Sequence, residues 1–476
     1  MESQSWLDKA FNPQAVAIVG ASNHADDRRD YNGHRILRVL SSGSFRGRLY
    51  PINPRADSVL GLKAYPSVVS VPEPLDLAIV AVPARSVPAV LEECRQAGVT
   101  NIHICTSGFG ETGESEGRII EAQVRRIADQ GGLHVVGPNC LGYTVPAVGL
   151  NMYDTPAKDG PIAMLSQSGG HAQTLVAYGP ILNIGFSKVI SYGNALTTDA
   201  THYLEYLIED PDTEIICMYI EGTRNGQKLC ELVRKAVSAK PVVIWKGGTS
   251  SFGARAAATH TSSMAGNLSV WNSFFRQTGA IRVHSIDEMA DVVLTFLRLR
   301  SVSRSGIVVI TGGGGQNVAN GDLCAEEGLE LAILGDDTRT NLEQLLPPVN
   351  QSTVNPIDSP AALYSPEILH QVMQILGSDP NVRTVILEMS IFFQQRATPE
   401  VKSAIRKCIA GFNSDYPGKA AVVAVRGSEL SGGDASALRS AFIEPGITAY
   451  GSLRSASRAL YRLGLYSQSS IEDRSD

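Results

Sequence analysis

Short apolar segments rich in β-branched residues alternate with longer stretches of helical spacing along most of the chain. Strands of a parallel sheet are buried on both faces, so they read as continuous apolar segments. The first series of predicted strands is Ala15–Val19, Leu77–Val82, Asn101–Ile104 and His134–Val136. The stretches of helical spacing between them are Gly33–Leu40, Ser86–Ala97 and Gly117–Gln130. This series predicts a doubly wound α/β domain.

The same alternation recurs twice further along the chain. The second series of predicted strands is Ile162–Leu165, Ser187–Ser191, Ile215–Tyr219 and Pro241–Trp245. After a short polar joint at residues 301–305, the third series is Gly306–Thr311, Leu329–Leu334, Thr384–Glu388 and Ala420–Val425. We therefore predict an α/β protein of three consecutive domains, covering residues 1–145, 146–300 and 301–467, with a flexible tail at 468–476.

Composition and charge exclude several classes of protein. The 476 residues are 43% hydrophobic and 18% charged with a net charge of −6, so there is no basic field for nucleic acid. The seven cysteines are scattered without a Cys-x-x-Cys pair, which indicates a reducing compartment and no metal site. The first residues lack the order of a signal peptide, and no apolar run reaches the roughly 20 residues that span a bilayer. We expect a cytoplasmic protein with no membrane partner.

Three of the predicted strands lead into turns rich in Gly and Ser that open a helix: Gly20–Asn23, Ser166–Gly170 and Thr311–Gly315. A helix start built from small residues exposes unpaired N–H groups and the positive end of the helix dipole, which together bind anions. None of these three turns matches Gly-x-Gly-x-x-Gly or Gly-x-Ser-x-Gly, and the sequence contains no P-loop. These absences count against a nicotinamide dehydrogenase, a P-loop hydrolase and a serine hydrolase.

His260 stands out among the nine histidines by its neighbours, because residues 253–266 are almost all small. A neutral imidazole nitrogen is a good nucleophile toward an activated phosphoryl group, and that chemistry needs an exposed histidine that can move. The other ring nitrogen needs an acceptor, for which we choose Glu221 at the end of the Ile215–Ile220 segment. The local composition by itself favours an ordinary loop histidine.

Nine motifs in a fixed order carry a family resemblance. They are Ala17–Ser22, Tyr50–Arg55, Ala81–Ala84, Thr106–Glu111, Gly137–Gly142, Leu165–Gly169, Ser191–Asn194, the His260 loop and Asn355–Asp358. In order and spacing the chain resembles the α subunit of ADP-forming acyl-CoA synthetases, relatives of succinyl-CoA synthetase. The resemblance implies an N-terminal Rossmann-like CoA-binding domain followed by two flavodoxin-like domains of the succinyl-CoA synthetase type.

The resemblance also implies roles for individual residues. Those that would contact the phosphates and adenosine of CoA are Gly20, Ala21, Ser22, Asn23, Pro51, Asn53 and Arg55, with Pro83 along the pantetheine. Those that would face the thioester and acyl phosphate are Ser107, Gly108 and Asn139. Ser168 and Gly169 would hold the phosphate during its transfer to His260. Gly313 and Gly314 belong to the matching helix start in the third domain.

The activity implied by the resemblance is the reversible conversion of a carboxylic acid, CoA and ATP into acyl-CoA, ADP and phosphate. It would pass through an acyl phosphate and phospho-His260. The family's ATP-grasp domain is not found in this sequence, so the resemblance implies a β subunit that binds ATP or ADP and Mg²⁺. An α2β2 assembly is expected.

Three departures from the family pattern keep an alternative open. Ser262 stands where the loop usually has glycine, Asp26–Gly33 is more charged than usual, and His171 follows Gly170 where an apolar residue is common. The first departure motivates a CoA-binding regulatory or inactive paralogue whose histidine loop does not move. The other two suggest an unusual acid substrate.

Overall fold

The computed structural model describes residues 5–24, 32–255, 267–299, 302–346, 352–427 and 434–472. They form two compact units. The first consists of Met1–Pro180 and Ile184–Ile286, and the second of Ile181–Asn183 and Asp287–Asp476. The second unit thus begins before residue 301, where the sequence pattern predicted the third domain to start.

The first sheet occupies the N-terminal part of the first unit. In chain order its elements are α1 (Ser5–Phe11), β1 (Ala15–Val19), α2 (Gly33–Ser42), β2 (Arg48–Ile52), β3 (Ser58–Val59), β4 (Leu62–Lys63), β5 (Leu77–Val80), α3 (Val87–Gln96), β6 (Asn101–Ile104), α4 (Ser115–Gly131) and β7 (His134–Val136). Five parallel strands follow the order β2-β1-β5-β6-β7, and β3 and β4 form a separate hairpin.

The second sheet completes the first unit. Its elements are β8 (Gly142–Thr144), β9 (Asp159–Ser166), α5 (Gly169–Leu182), β10 (Phe186–Ser191), α6 (Ala200–Glu209), β11 (Ile215–Ile220), α7 (Gly226–Ala239), β12 (Val242–Lys246), α8 (Leu268–Thr278) and β13 (Ile281–Val283). The order is β13-β12-β11-β9-β10-β8, with only β8 antiparallel to its neighbour among these strands.

One hydrophobic cluster joins these two sheets into a single unit. It contains Ile18 and Ile79 of the first sheet together with Leu165 and Met218 of the second. Tyr143 of β8 lies in the same cluster. Because this apolar surface is shared, we expect each sheet to depend on the other for part of its burial.

The third sheet forms the second unit. Its elements are α9 (Ile286–Arg298), β14 (Ser305–Thr311), α10 (Gly314–Glu326), β15 (Glu330–Leu331), α11 (Asp336–Leu345), β16 (Ile357–Asp358), α12 (Pro360–Tyr364), α13 (Pro366–Ser378), β17 (Thr384–Ser390), α14 (Ile391–Arg396), α15 (Pro399–Asp415), β18 (Ala420–Arg426), α16 (Asp434–Ile443), β19 (Ala449–Tyr450) and α17 (Leu453–Glu472). The parallel order is β15-β14-β17-β18-β19, and β16 also pairs with β14.

The α/β class predicted from the sequence is confirmed, and each predicted strand segment contains a strand. The largest differences in length are at two segments. In Leu329–Leu334 only Glu330–Leu331 pairs with β14, whereas Ile162–Leu165 is part of the longer strand Asp159–Ser166. Helix α17 continues to Glu472 and so includes residues 468–472 of the predicted flexible tail. None of the helices described is long and apolar enough to cross a bilayer.

Candidate active site

The first glycine turn lies where β1 ends. Gly20 has φ +91°, and a Cβ there would lie 2.6 Å from the carbonyl oxygen of Ala81, so only glycine fits without strain. Contrary to the prediction, no helix begins within the described residues of this turn, and α2 begins at Gly33. That helix start nevertheless returns to the turn, since a Cβ on Gly33 would lie 2.3 Å from the Gly20 carbonyl oxygen.

Polar side chains fasten this turn to neighbouring segments. The Asn53 amide donates to the Ala21 carbonyl at 2.7 Å. The Asn23 amide donates to the Ser58 carbonyl at 3.0 Å, and its oxygen accepts from the Leu60 N–H at 2.9 Å. These bonds bring the predicted CoA residues of the Gly20–Asn23 turn together with Asn53.

The remaining predicted CoA residues of the first sheet lie at or near the same edge. Pro51 is buried inside β2, opposite Ile18, so its side chain belongs to the strand and not to the turn after it. Arg55 and Pro83 are exposed and follow the carboxyl ends of β2 and β5. Since both strands pair in parallel with β1, their carboxyl ends meet at one edge of the sheet.

Glu111 links two loops that approach each other from the two sheets. One carboxylate oxygen accepts from the Gly108 N–H at 2.6 Å, and the other accepts from the Asn194 amide at 2.7 Å. The Asn194 N–H in turn donates to the Pro138 carbonyl at 3.0 Å. Glu111 ends the Thr106–Glu111 motif, which by itself predicts no role for this carboxylate. Its role is visible only in the contact between the two sheets.

The second glycine turn does open a helix directly, at the end of β9. The Ser168 hydroxyl accepts from the His171 N–H at 3.3 Å, and a Cβ on Gly169 would lie 2.8 Å from the Leu141 side chain. The Asn139 N–H donates to the Thr106 carbonyl at 2.9 Å. The structure therefore brings Ser168 and Gly169 next to the loop that contains Asn139, as the predicted roles require.

Glu221 follows β11 at this same edge and is buried, with an exposed fraction of 8%. The side-chain oxygen of Gln167 accepts from the N–H groups of Glu221 and Gly222, the latter at 3.0 Å. The Tyr219 hydroxyl donates to the Glu221 carboxylate at 3.2 Å. Gln167 thus joins the second glycine turn to Glu221, and the sequence pattern predicted no role for this glutamine.

Two ionisable side chains surround Glu221. His171 packs against the rings of Tyr219 and Trp245, with its ring centroid 4.5 Å from each of theirs. Burial lowers the pKa of His171, while Glu221 opposes that shift. Lys246, at the end of β12, donates to the Glu221 carbonyl at 2.8 Å. Burial lowers the pKa of Lys246 to about 8, again against the attraction of Glu221.

His260 and Ser262 lie outside the described residues. The pairing of His260 with Glu221 therefore stays a prediction. What the described residues contribute is a buried carboxylate, a helix start and a nearby loop from the first sheet, gathered at one edge.

The third glycine turn lies after β14 in the second unit. The Gly313 N–H donates to the Asp358 carboxylate at 2.6 Å, so a phosphate would have to displace that carboxylate to use this donor. Gly314 begins α10. Behind the turn, buried Glu388 accepts from the Thr311 hydroxyl at 2.7 Å and the Asn320 amide at 3.0 Å. Neither carboxylate was predicted to have a role.

Comparison with known families defines the class of protein. A CoA binding domain model matches residues 14–146, and a model described as the succinyl-CoA ligase like flavodoxin domain matches residues 159–296. Together with the glycine turn of the first sheet and the helix start of the second, these matches define a CoA-binding protein of the succinyl-CoA ligase type. The predicted order of a CoA-binding domain followed by a flavodoxin-like domain is confirmed.

The curated relatives identify the family. The chain is 32% identical over 474 residues to an ADP-forming acetate–CoA ligase I subunit alpha of Pyrococcus furiosus, covering 97% of this chain and 98% of that one. It is 33% identical over 470 residues to the ADP-forming acetate–CoA ligase I of Archaeoglobus fulgidus, covering 98% of this chain and 65% of that one. The chain belongs to the family of ADP-forming acetate–CoA ligases, which confirms the predicted resemblance and the predicted enzyme class.

A solved structure agrees with this assignment. The acetyl-coenzyme A synthetase 1 of Ca. Korarchaeum cryptofilum, described as dinucleotide forming and determined in complex with phosphate and ADP, superposes with a TM-score of 0.81 at 30% identity. The match covers 98% of both chains. By contrast, the chain spans only 48–65% of the length of several relatives that are not named as subunits.

Proposed function

We propose that this chain is the CoA-binding, phosphate-carrying subunit of a reversible ADP-forming acyl-CoA synthetase. The observation that carries the proposal is the cluster at the carboxyl edge of the second sheet, where Ser168 and Gly169, the Asn139 loop and Glu221 come together. A helix start can hold a phosphoryl group, and a buried carboxylate can hold a histidine ring in one tautomer. The α-subunit name of the Pyrococcus furiosus relative supports the same conclusion.

The reaction proceeds in three steps. His260 attacks the terminal phosphorus of ATP, forming a phosphorus–nitrogen bond and releasing ADP. A carboxylate oxygen of the acid then attacks that phosphorus, which frees His260 and forms an acyl phosphate. Finally the CoA sulfur attacks the acyl carbon, phosphate leaves and the thiol proton passes to solvent.

CoA lies along the edge of the first sheet in this proposal. The turn Gly20–Asn23, with Asn53 and exposed Arg55, holds its phosphates, since a guanidinium suits a phosphate monoester. Pro83 lies along the pantetheine arm. Gly108 and Ser107 lie near the thiol, close to Asn194, whose buried Oδ1 has no hydrogen-bond partner among the described residues. An acceptor of this kind suits a donor on the ligand.

The partner is an ATP-grasp β subunit, which binds ATP or ADP with Mg²⁺, and the assembly is α2β2. The α-subunit name of the Pyrococcus furiosus relative supports a second subunit.

Labelling with γ-³²P-ATP tests the proposal. The chain, mixed with its ATP-grasp partner and ATP, should acquire acid-labile label, and His260→Ala should acquire none. His34→Ala, a histidine remote from Glu221 in sequence, serves as the labelling control. Turnover of acid, CoA and ATP by the His260→Ala complex at the wild-type rate would overturn the proposal.

The alternative of a CoA-binding regulatory paralogue makes the opposite prediction. Such a protein would bind CoA but would not be labelled on His260 in the presence of the partner. The names of the relatives, which are ligases, favour the enzyme.

A further inference from the structure

Lys246 is a buried lysine at the centre of the candidate site, with an exposed fraction of 3%. Its ammonium donates to the carbonyl of Glu221 at 2.8 Å and to the carbonyl of Gly247. It also lies 5.0 Å from the centroid of the Trp271 ring. A lysine is rarely buried without such partners, because removing the charge from water is costly.

The sheet register explains why the ammonium meets Glu221. Strands β11 and β12 are parallel neighbours, and Ile220 pairs with Lys246 at their carboxyl ends. The next residue on β11 is Glu221, whose N–H is held by Gln167 and whose carboxylate is held by Tyr219. Lys246 donates to the carbonyl of Glu221 in addition. The side chains of Gln167, Tyr219 and Lys246 therefore together orient Glu221.

Trp271, the aromatic partner of Lys246, follows the segment that carries His260 in the chain. Lys246 ends β12, and Trp271 belongs to α8, which begins at Leu268. His260 comes between these two elements in the chain. The contact of the ammonium with the Trp271 ring therefore joins the element before the His260 segment to the element after it.

We propose that Lys246 is a positioning residue for phosphoryl transfer, which orients Glu221 and ties β12 to α8 at the two ends of the His260 segment. This inference rests on the proposed function, since it assigns Lys246 a part in phosphorylation of His260. Lys246 acts through Glu221 and the backbone and has no contact with CoA in this scheme.

Because Lys246 acts through its charge, its proposed effect on His260 phosphorylation depends on pH. Burial lowers its pKa to about 8, while the Glu221 carboxylate on β11 raises it. Tyr219 on the same strand and His171 on α5 also face Glu221, and α8 contributes the neutral Trp271 ring. The ammonium is thus charged at pH 7 and loses its proton as the pH rises through about 8. We expect phosphorylation of His260 to slow over the same range, because the attraction to Glu221 and to the ring is lost.

Lys246→Met and Lys246→Arg test the role in the complete complex with the ATP-grasp partner. In Lys246→Met, the rate of His260 phosphorylation by ATP should fall about 10- to 100-fold at pH 7, with KM for CoA unchanged. The decline above pH 8 should disappear in this variant. Lys246→Arg should retain more activity than Lys246→Met and show no decline through pH 8, because arginine stays protonated.

Lys240→Met is the matched control. Lys240 precedes the opposite end of β12, and its ammonium also donates to two backbone carbonyls, those of Leu207 at 2.8 Å and Asp210 at 2.6 Å. Its loss should leave the phosphorylation rate and its pH profile unchanged. Thermal unfolding of each variant identifies any that fail to fold.

The arms of this experiment separate the two proposals. If the wild-type complex is not labelled on His260, the proposed function fails. If the wild type is labelled and folded Lys246→Met is labelled at the same rate with the same pH profile, the role of Lys246 is overturned while the function stands. A loss in Lys240→Met equal to that in Lys246→Met would also overturn it.

Discussion

Gly20 illustrates how much a single residue decides at this site. Its left-handed backbone and its approach to the Ala81 carbonyl oxygen both require the absence of a Cβ. The side chains of Asn23, within the turn, and of Asn53, which follows β2, fasten the turn to neighbouring segments. The glycine therefore sets the path of the chain, and the asparagines keep it there.

We expect Gly20→Ala to destabilise the first unit and to weaken CoA binding. The positive φ and the 2.6 Å contact both oppose a Cβ, and forced overpacking typically costs about 1–3 kcal/mol. Urea denaturation and calorimetric titration with CoA measure the two effects. Gly61→Ala is the control, because Gly61 has φ +80° but no atom within 4 Å of its Cβ position. Equal losses in both variants would mean that backbone strain alone matters and not the contact with Ala81.

At the scale of the element, the polar residues of the site lie at the carboxyl ends of the parallel strands, whereas the apolar residues within the strands pack in the core. Strand β11 is buried throughout, β9 is buried from Ile162 onward, and β12 is buried except at Trp245. The polar groups of the site come at or after the last residues of these strands. The sequence pattern found these strands because continuous apolar segments are typical of parallel sheets. It missed β2, because Pro51 interrupts the apolar pattern. A proline is tolerated there since β2 is an edge strand.

Glu388, within β17, joins two other elements of the third sheet. Its carboxylate accepts from Thr311 at the end of β14 and from Asn320 on α10, and the Arg426 guanidinium lies 3.8 Å away. Glu388→Ala would leave these buried groups without their partner. We expect it to lower the free energy of unfolding of the second unit by about 3 kcal/mol. Chemical denaturation measures this loss.

Glu330→Ala provides the comparison for that prediction, because Glu330 is an exposed glutamate on edge strand β15. Its removal should change the free energy of unfolding by less than about 0.5 kcal/mol. A Glu388→Ala protein as stable as Glu330→Ala would show that the carboxylate does not hold β14 and α10 together.

At the scale of the whole molecule, His103 lies where the two sheets of the first unit meet. It is on β6, and a Cβ on Gly142 of β8 would collide with its ring. Burial lowers the pKa of His103 to about 4. The unfolded chain, with an ordinary histidine pKa near 6.5, then binds more protons than the folded chain between pH 6.5 and 4. The contribution of the neutral His103 to the free energy of unfolding is complete above pH 6.5 and is lost as the pH falls toward 4.

We expect the free energy of unfolding to drop by about 3 kcal/mol between pH 7 and pH 4 through His103 alone. Urea denaturation across this range measures the slope, and His103→Leu should flatten it. His370→Gln, at an exposed position on α13, should leave the slope unchanged. The same slope in His103→Leu as in the wild type would contradict this origin of acid sensitivity.

The sequence by itself determined the α/β class, the positions of most strands and the family. These depend on local signals, namely continuous apolar segments, helical spacing and ordered motifs, all of which are present in the linear chain. It also led to the choice of Glu221, because a carboxylate directly after a buried strand has to lie at the edge of the sheet.

Only the tertiary structure decided which residues support that edge. Glu111, Gln167 and Lys246 act on partners that are distant in sequence, and their contacts depend on the strand order and on the packing of one sheet against the other. The use of the Gly313 N–H by Asp358 is of the same kind. Strand order and register are set by the summed burial of the whole unit, so no local pattern encodes them.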